Sequence, residues 1–216
     1  MGKVWFQLSV SLDGYSAGPH QSLEHPIGVG GMKLFGWQFA LEAWRRLSGQ
    51  EGGEVNASTP VFEEALSTHG AVVMGRNMFG EGPGPWSSDP AWDGWWGDEP
   101  PYHTPVFVLT HHPRDPVPMK GGTTFFFVTE GIEFALEQAK QAAGSKHVLI
   151  GGGPSVVQQY LAAGLVDEFE LHVVPVLLGT GERLLEGVGG LELEQVRAIE
   201  GPGVTHLRYR VVERAG

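Results

Sequence analysis

Apolar and polar residues alternate over positions 4–10, the period of a half-buried strand, and SLDG at 11–14 closes that run as a turn. Positions 19–31 read as loop. Leu34, Trp37, Leu41 and Trp44 then recur at helical spacing, with Arg45 and Arg46 near the end, where cations suit the helix dipole. Thr59-Pro60 marks a second helix start, with Thr59 as cap and Pro60 in the first turn, and Gly70 marks its stop. The run AVVMG (71–75) is continuously apolar and PVFVLT (105–110) and FFFV (125–128) are similar, which predicts buried strands, and HVLI (147–150) is the next strand. Before the last of them, Ile132, Ala135, Leu136, Ala139 and Ala143 form one helical face that ends at Gly144. A further helix is expected over 154–163, stopped by Gly164. Strands over 168–178, 191–199 and 205–213 complete the chain, and the last two alternate as an antiparallel hairpin with one wet face does.

Strands alternating with helices predict an α/β fold: a central, mostly parallel sheet with helices on both faces and an antiparallel C-terminal hairpin. No internal repeat and no separating linker is visible, so residues 1–216 are expected to form a single domain. The least regular stretch, 80–104, carries four of the seven tryptophans and is too long for a simple connection. Its tryptophans at 86, 92, 95 and 96 could cover a planar ring or seal the loop onto the core.

Composition narrows the function classes. The chain has no cysteine, which excludes disulfides, thiolate catalysis and cysteine-ligated metals and suits a reducing cytoplasm. A formal net charge of −11 argues against general nucleic-acid binding, because a phosphate backbone needs a basic face. A single bound phosphate needs only a local cluster of donors and remains open. The opening MGKVWFQLSVSLDG is interrupted by Gln7, Ser9, Ser11 and Asp13 and does not read as a secretory signal. No apolar run approaches the roughly 20 residues that cross a bilayer.

Four short segments follow strands and carry candidate chemistry. VLIGGGPSV (148–156) places three glycines between a strand and a helix whose free N–H groups could seat a phosphate, with Ser155 adding a hydroxyl. It fails the G-x-G-x-x-G pattern, since the third position is Val156, and a plain strand-to-helix turn stays open. Gly75-Arg76 follows AVVM, and an arginine at the carboxyl end of a parallel strand suits phosphate through its planar fork, although a solvated surface arginine is the bland alternative. Thr110, His111, His112 and Arg114 follow the next strand and could surround an anion; no metal-binding spacing is present, and exposed loop histidines are the alternative. Asp13 in SLDGY is either a proton-handling carboxylate or a turn aspartate before Gly14.

Taken in order, SLDGY (11–15), GRNMF (75–79), LTHHPR (109–114), IGGG (150–153) and LVDEFELHVVPVLLGTG (165–181) resemble the dihydrofolate reductase-like family. That family includes the reductase domain of bacterial riboflavin biosynthesis, the RibD C-terminal type, and this chain is similar to its short stand-alone members. The resemblance implies NADPH as hydride donor, a cytoplasmic enzyme, and often a homodimer. It assigns Gly75 and Arg76 to the cofactor phosphates, and Thr110, His111 and Arg114 to the adenosine 2′-phosphate. It assigns Gly151, Gly152, Gly153, Ser155 and Val156 to the pyrophosphate, and Asp13, Gly14 and Tyr15 to the nicotinamide and substrate side. Met78 stands where the family commonly has threonine, and Tyr15 where the riboflavin reductases have a lysine toward the substrate phosphate. The tryptophan–proline pattern of true folate reductases is absent, and Glu42 is the only acid of the 34–47 helix. The expected reaction is hydride transfer to a conjugated C=N or C=O of a small pteridine- or pyrimidine-like heterocycle, with Asp13, or a water it orients, supplying the proton. In that scheme the 80–104 segment closes over the rings. A non-catalytic NADPH-binding protein of the same fold is the alternative, and a histidine-ligated metallohydrolase is a third reading.

Overall fold

The computed structural model describes residues 2–82, 84–87 and 91–214, with the backbone alone for 213 and 214. Residues 83 and 88–90 of the tryptophan-rich stretch therefore lie outside the described part. The elements run β1 (Val4–Ser11), β2 (Tyr15–Ala17), a 3-10 turn (Gly31–Phe35), α1 (Gly36–Ala40), α2 (Glu42–Leu47), α3 (Thr59–Ser67), β3 (His69–Gly75) and α4 (Arg76–Phe79). They continue with β4 (Pro105–Leu109), β5 (Val117–Pro118), β6 (Thr124–Val128), α5 (Ile132–Ala143), β7 (His147–Gly152) and α6 (Pro154–Ala162). The chain closes with β8 (Glu168–Val174), β9 (Glu182–Arg183), β10 (Leu191–Gly201) and β11 (Val204–Arg214). These elements divide into two compact units, one of residues 1–6 and 68–165 and the other of 7–67 and 166–216, so that β1 contributes its first half to one and its second half to the other.

In the first unit the strand order is β1-β7-β3-β4-β6-β5, and every neighbouring pair except β5 with β6 is parallel. The continuous apolar runs account for this. Ala71, Val72, Val73 and Met74 of β3 are all fully buried, as only a strand covered on both faces can be. Burying each such valine contributes roughly 1.5–3 kcal/mol. Helix α5 turns Ala135, Leu136, Ala139 and Ala143 inward and packs on β3, β4 and β7. Tyr160 of α6 is fully buried, and its hydroxyl donates to the Ile132 carbonyl at 2.7 Å, joining the start of α5 to α6.

In the second unit β10, β11, β8 and the second half of β1 lie in that order, with β10–β11 and β11–β8 antiparallel. Register decides its chemistry. Directly opposed pairs on β11 and β8 are Arg208 with Glu170, His206 with His172, and Arg210 with Glu168. The fully buried Glu170 is held by Arg197 through Nε and Nη2, both at 3.0 Å, and by Arg208 at 2.9 Å. Glu64 of α3 joins both arginines, at 2.7 Å and 2.6 Å.

One step along the same face the two histidines are buried with their Nδ1 atoms 2.8 Å apart. His172 Nε2 meets Gln7 Oε1 at 3.2 Å, and His206 Nε2 meets Ser58 Oγ at 2.9 Å. An acceptor at Gln7 makes His172 Nε2 the donor, so His206 Nδ1 donates onward to His172 and the Ser58 hydroxyl donates to His206. Trp37 covers both rings, each 4.9 Å from its own, and its indole N–H donates to Ser9 Oγ. Leu34, Leu41, Phe62, Val174 and Val204 complete that core.

The sequence periodicity predicts one helix across 34–47, and the structure breaks it at Leu41. Leu41 is extended (φ −69°, ψ 138°), because Glu42 N–H donates to the Glu54 carbonyl and Glu54 N–H to the Ala40 carbonyl. A backbone partner distant in sequence overrides local propensity there. The predicted strand to 178 stops at Val174, where Pro175 cannot continue the ladder. The α/β class itself, a mostly parallel sheet with packed helices and antiparallel C-terminal strands, is as expected.

Candidate cofactor site and the Asp13 turn

In the first unit β7, β3 and β4 are consecutive parallel neighbours, so the loops after them emerge side by side at their carboxyl ends. Ligands bind at this end of open α/β sheets. Gly151 and Gly152 end β7 and Gly153 follows them, Gly75 ends β3 and Arg76 opens α4, and Thr110, His111 and Arg114 follow β4.

The glycine loop is shaped by its backbone. Gly152 has φ +115°, a conformation side chains resist, and the Gly152–Gly153 peptide is cis. Gly153 caps α6, and its carbonyl accepts the N–H groups of Val156 and Val157 at 3.1 and 3.2 Å. Ser155 is exposed in the first turn. A Cβ on the buried Gly75 would lie 2.7 Å from Val156 Cγ2, with Gly152 O and Gly153 N at 3.8 and 3.9 Å. The tip of β3 thus touches the glycine loop, which explains glycine at 75 without any ligand.

Arg76 turns toward the stretch that follows it. Its Nε donates to the Gly82 carbonyl at 3.1 Å, and Nη2 reaches Glu81 Oε2 and the Gly84 carbonyl, each at 3.5 Å. Nη1 is buried with no hydrogen-bond partner. Burial pushes the pKa of Arg76 down and Arg114 adds to this, against the opposing effect of Glu81. Thr110 is buried; its N–H donates to the Val128 carbonyl, and its hydroxyl accepts the His112 N–H at 3.1 Å, closing a side-chain turn. His111 is exposed, and Arg114 Nη1 donates to the Trp92 carbonyl.

The tryptophans of 80–104 are spent mostly on packing. Trp86 meets Phe127 and Phe79 edge-on, Trp96 stacks on Phe125, and the Trp92 indole donates to the Phe79 carbonyl. Trp86, Trp92 and Trp96 are therefore fastened to the core of their own unit, the sealing alternative.

The Asp13 turn belongs to the second unit. Asp13 Oδ1 accepts the Leu178 N–H at 3.1 Å and Oδ2 the Gly179 N–H at 2.7 Å. The Ser11 hydroxyl, outweighing desolvation, and the Gly179 and Leu178 amides hold its carboxyl down at about 2. Arg183 donates to the Asp13 carbonyl at 3.2 Å and lies 4.6 Å above the Tyr15 ring, whose hydroxyl reaches the Gly179 carbonyl. Beside this turn, Val10, Gly14, Leu171, Leu184 and Arg183 line a cavity of about 230 Å³. At neutral pH Asp13 is thus an ionised clamp on the 178–179 backbone, a role the Asp-Gly signal allowed.

The family model for the RibD C-terminal domain matches residues 2–207. The chain belongs to that family. Over 55 residues this RibD C-terminal domain is 36% identical to the uncharacterized protein YwjB of Bacillus subtilis (strain 168), a match spanning 26% of this chain and 31% of that protein. In fold it is similar to a putative riboflavin biosynthesis protein from Shewanella sp. PV-4, with TM-score 0.62 and 22% identity over 98% of this chain and 99% of that one. It is also similar to dihydrofolate reductase from Enterococcus faecalis, with TM-score 0.52 and 15% identity over 98% of each chain.

Within this RibD C-terminal domain the ten residues expected at the cofactor all sit at the carboxyl ends of β3, β4 and β7, in the segments that directly follow them, or in the first turn of α6. Glu81 and Arg183 escaped the sequence reading, and Trp86 was singled out there only as a ring that covers a ligand or seals the loop, not as a partner of Arg76 and Arg114. Trp86 and Glu81 lie in a stretch without periodicity, and only their nearness to Arg76 along the chain hinted at contact. Among the described residues no group of three or more acidic or histidine side chains could hold a metal ion, and no helix is long and apolar enough to cross a membrane.

Proposed function

We propose that this RibD C-terminal domain is an NADPH-dependent reductase of a conjugated C=N or C=O in a small pteridine- or pyrimidine-like heterocycle. The observation that carries the reading is the convergence of three donor-rich loops at the carboxyl ends of β7, β3 and β4. The donor set fits a phosphorylated dinucleotide. Gly151, Gly152, Gly153, Ser155 and Val156 would seat the pyrophosphate at the start of α6. Gly75 lets the β3 tip approach that loop, and Arg76 keeps a buried, unpartnered Nη1 for a phosphate oxygen. Thr110, His111 and Arg114 would meet the 2′-phosphate. The similar dihydrofolate reductase was solved with NADP(H), which supports the same cofactor class here.

When bound, the nicotinamide supplies the hydride. This chain's part is to bind, orient and manage the proton. Asp13 is the candidate for proton handling, with Gly14 and Tyr15 at the substrate. With its carboxyl near 2, Asp13 does not itself carry the proton at neutral pH; it orients the water that delivers it. As a cytoplasmic homodimer the protein would have twice the 23.3 kDa chain mass in light scattering.

Calorimetric titration with NADPH, followed by NADPH oxidation against a panel of pteridines and pyrimidines, tests the reading. Absence of NADPH binding would end it. The locked Asp13 favours one second reading, a non-catalytic NADPH-binding protein. Tight binding without turnover on any heterocycle would decide for that alternative, and loss of turnover in Asp13→Asn with binding intact would decide against it.

A further inference from the structure

Arg76 and Arg114, contributed by two different loops, meet on one side chain that neither motif contains. The Arg76 guanidinium carbon lies 3.0 Å from the centre of the Trp86 ring, and that of Arg114 lies 5.1 Å from it. The indole N–H donates to the His112 carbonyl at 2.8 Å, so the same residue also fastens the 110–114 turn. Trp86 is itself braced by Phe127 at 4.8 Å and Phe79 at 5.6 Å, and Phe127 carries Arg114 at 5.1 Å.

Two guanidiniums gathered this way repel one another, and Arg114 disfavours the charge on Arg76. Glu81 is the one carboxylate paired with them among the described residues, at 3.5 Å from Arg76 Nη2. One carboxylate faces two cations, and Arg76 Nη1 is left buried without a partner. The negative face of an indole attracts cations, which offsets part of the repulsion and fixes both side chains in place. A phosphate monoester carries about −1.5 to −2 charges at neutral pH, whereas each phosphate of a pyrophosphate bridge carries about −1. A paired set of guanidiniums therefore favours the monoester.

We propose that Trp86 is the positioning residue of the phosphate subsite, holding Arg76 and Arg114 as a pair and thereby setting the preference for a dinucleotide bearing a phosphate monoester over its unphosphorylated counterpart. The inference rests on the dinucleotide reading above and adds to it the residue that sets the selectivity.

The test is calorimetric binding of NADPH, NADH and 2′,5′-ADP to the wild-type chain, Trp86→Ala and Trp86→Phe. Loss of the ring should weaken NADPH and 2′,5′-ADP by roughly tenfold or more, and NADH by much less. Phenylalanine keeps a smaller ring face and loses the bond to the His112 carbonyl, so Trp86→Phe should recover part of the selectivity. Equal weakening of NADPH and NADH in Trp86→Ala, or unchanged binding of both, overturns the inference while leaving the dinucleotide reading intact. So does a Trp86→Phe variant, folded by circular dichroism, that shows no preference for NADPH. A wild-type chain that binds neither dinucleotide overturns the dinucleotide reading and this inference with it.

Discussion

Acid acts directly on the buried core of the second unit. His172 and His206 face each other Nδ1 to Nδ1 at 2.8 Å, a contact that accommodates one proton and not two. Burial pushes His172 well below its usual range, and His206, Arg197 and Arg208 push it further. His206 is lowered by burial first and by Arg197, with Glu170 opposing. The other groups around the pair, Gln7, Ser58 and Trp37, are neutral and offer no compensating charge. In the unfolded chain both histidines return to about 6.5. The unfolded state then binds more protons than the native one, so stability is full above about pH 6.5 and falls as pH drops below it. A histidine kept neutral in the fold loses about 1.4 kcal/mol between pH 7.5 and 5.5. Two lose up to about 2.7 kcal/mol, a large share of the 5–15 kcal/mol that holds an ordinary domain together. Urea unfolding at pH 7.5, 6.5 and 5.5, at fixed ionic strength, measures the loss directly. Replacing His172 by Gln removes one titrating group while leaving an amide to meet His206, so the fall should shrink by about 1.4 kcal/mol. Histidines elsewhere act equally in both proteins and cancel. Identical pH slopes for wild type and His172→Gln would refute the claim that His172 is held neutral.

Glu170→Ala should cost up to about 3–5 kcal/mol in the same urea assay, because it leaves Arg197 and Arg208 beside a buried vacancy with Glu64 alone to balance them, with Glu170→Gln intermediate. Gly75→Ala should lose about 1–3 kcal/mol, since its Cβ would press on a stiff, buried Val156, and should weaken NADPH binding by shifting the glycine loop. Gly153→Ala meets nothing within 4 Å at φ −76°, so stability should hold while calorimetry shows weaker NADPH binding if the cofactor approaches that backbone closely. The Gly179 amide resonance should stay constant from pH 8 down to about 4 and move only as Asp13 protonates. The depressed carboxyl contributes stability above its unfolded value of 3.8 and loses it as pH falls through about 2.

Sequence pattern made the parallel strands of the first unit and its helices α5 and α6 legible. The run AVVM is apolar at every position because both faces of its strand are covered, whereas in FFFV only Phe125 and Val128 are buried; glycines or turn residues bound both runs. The second unit was harder, since its decisive contacts join residues far apart in the chain. Glu54 breaking a helix at Leu41, and Ser58 meeting His206, have no local signal. Candidate residues were found where a motif follows a strand directly, as at Gly75-Arg76 and IGGG. Trp86 was visible only as one tryptophan among four, because its contacts with Arg76 and Arg114 come from what folds back onto it. Asp13 lay between: its chemistry was visible, but its partners Leu178 and Gly179 are supplied from the far end of the chain.

The interleaving of the two units also sets an order of assembly. The first unit needs only residues up to 165, so its parallel strands can close as soon as that length has emerged. The second cannot. Leu34, Trp37, Leu41 and Phe62 are synthesised early but are covered by Val174 and Val204. At about 5–20 residues per second, roughly 150 residues and some 7–30 s separate Ser67 from the end of β11. For that interval an apolar, tryptophan-bearing segment waits without its sheet, which makes the early 7–67 stretch the place where a nascent chain would be caught by a chaperone.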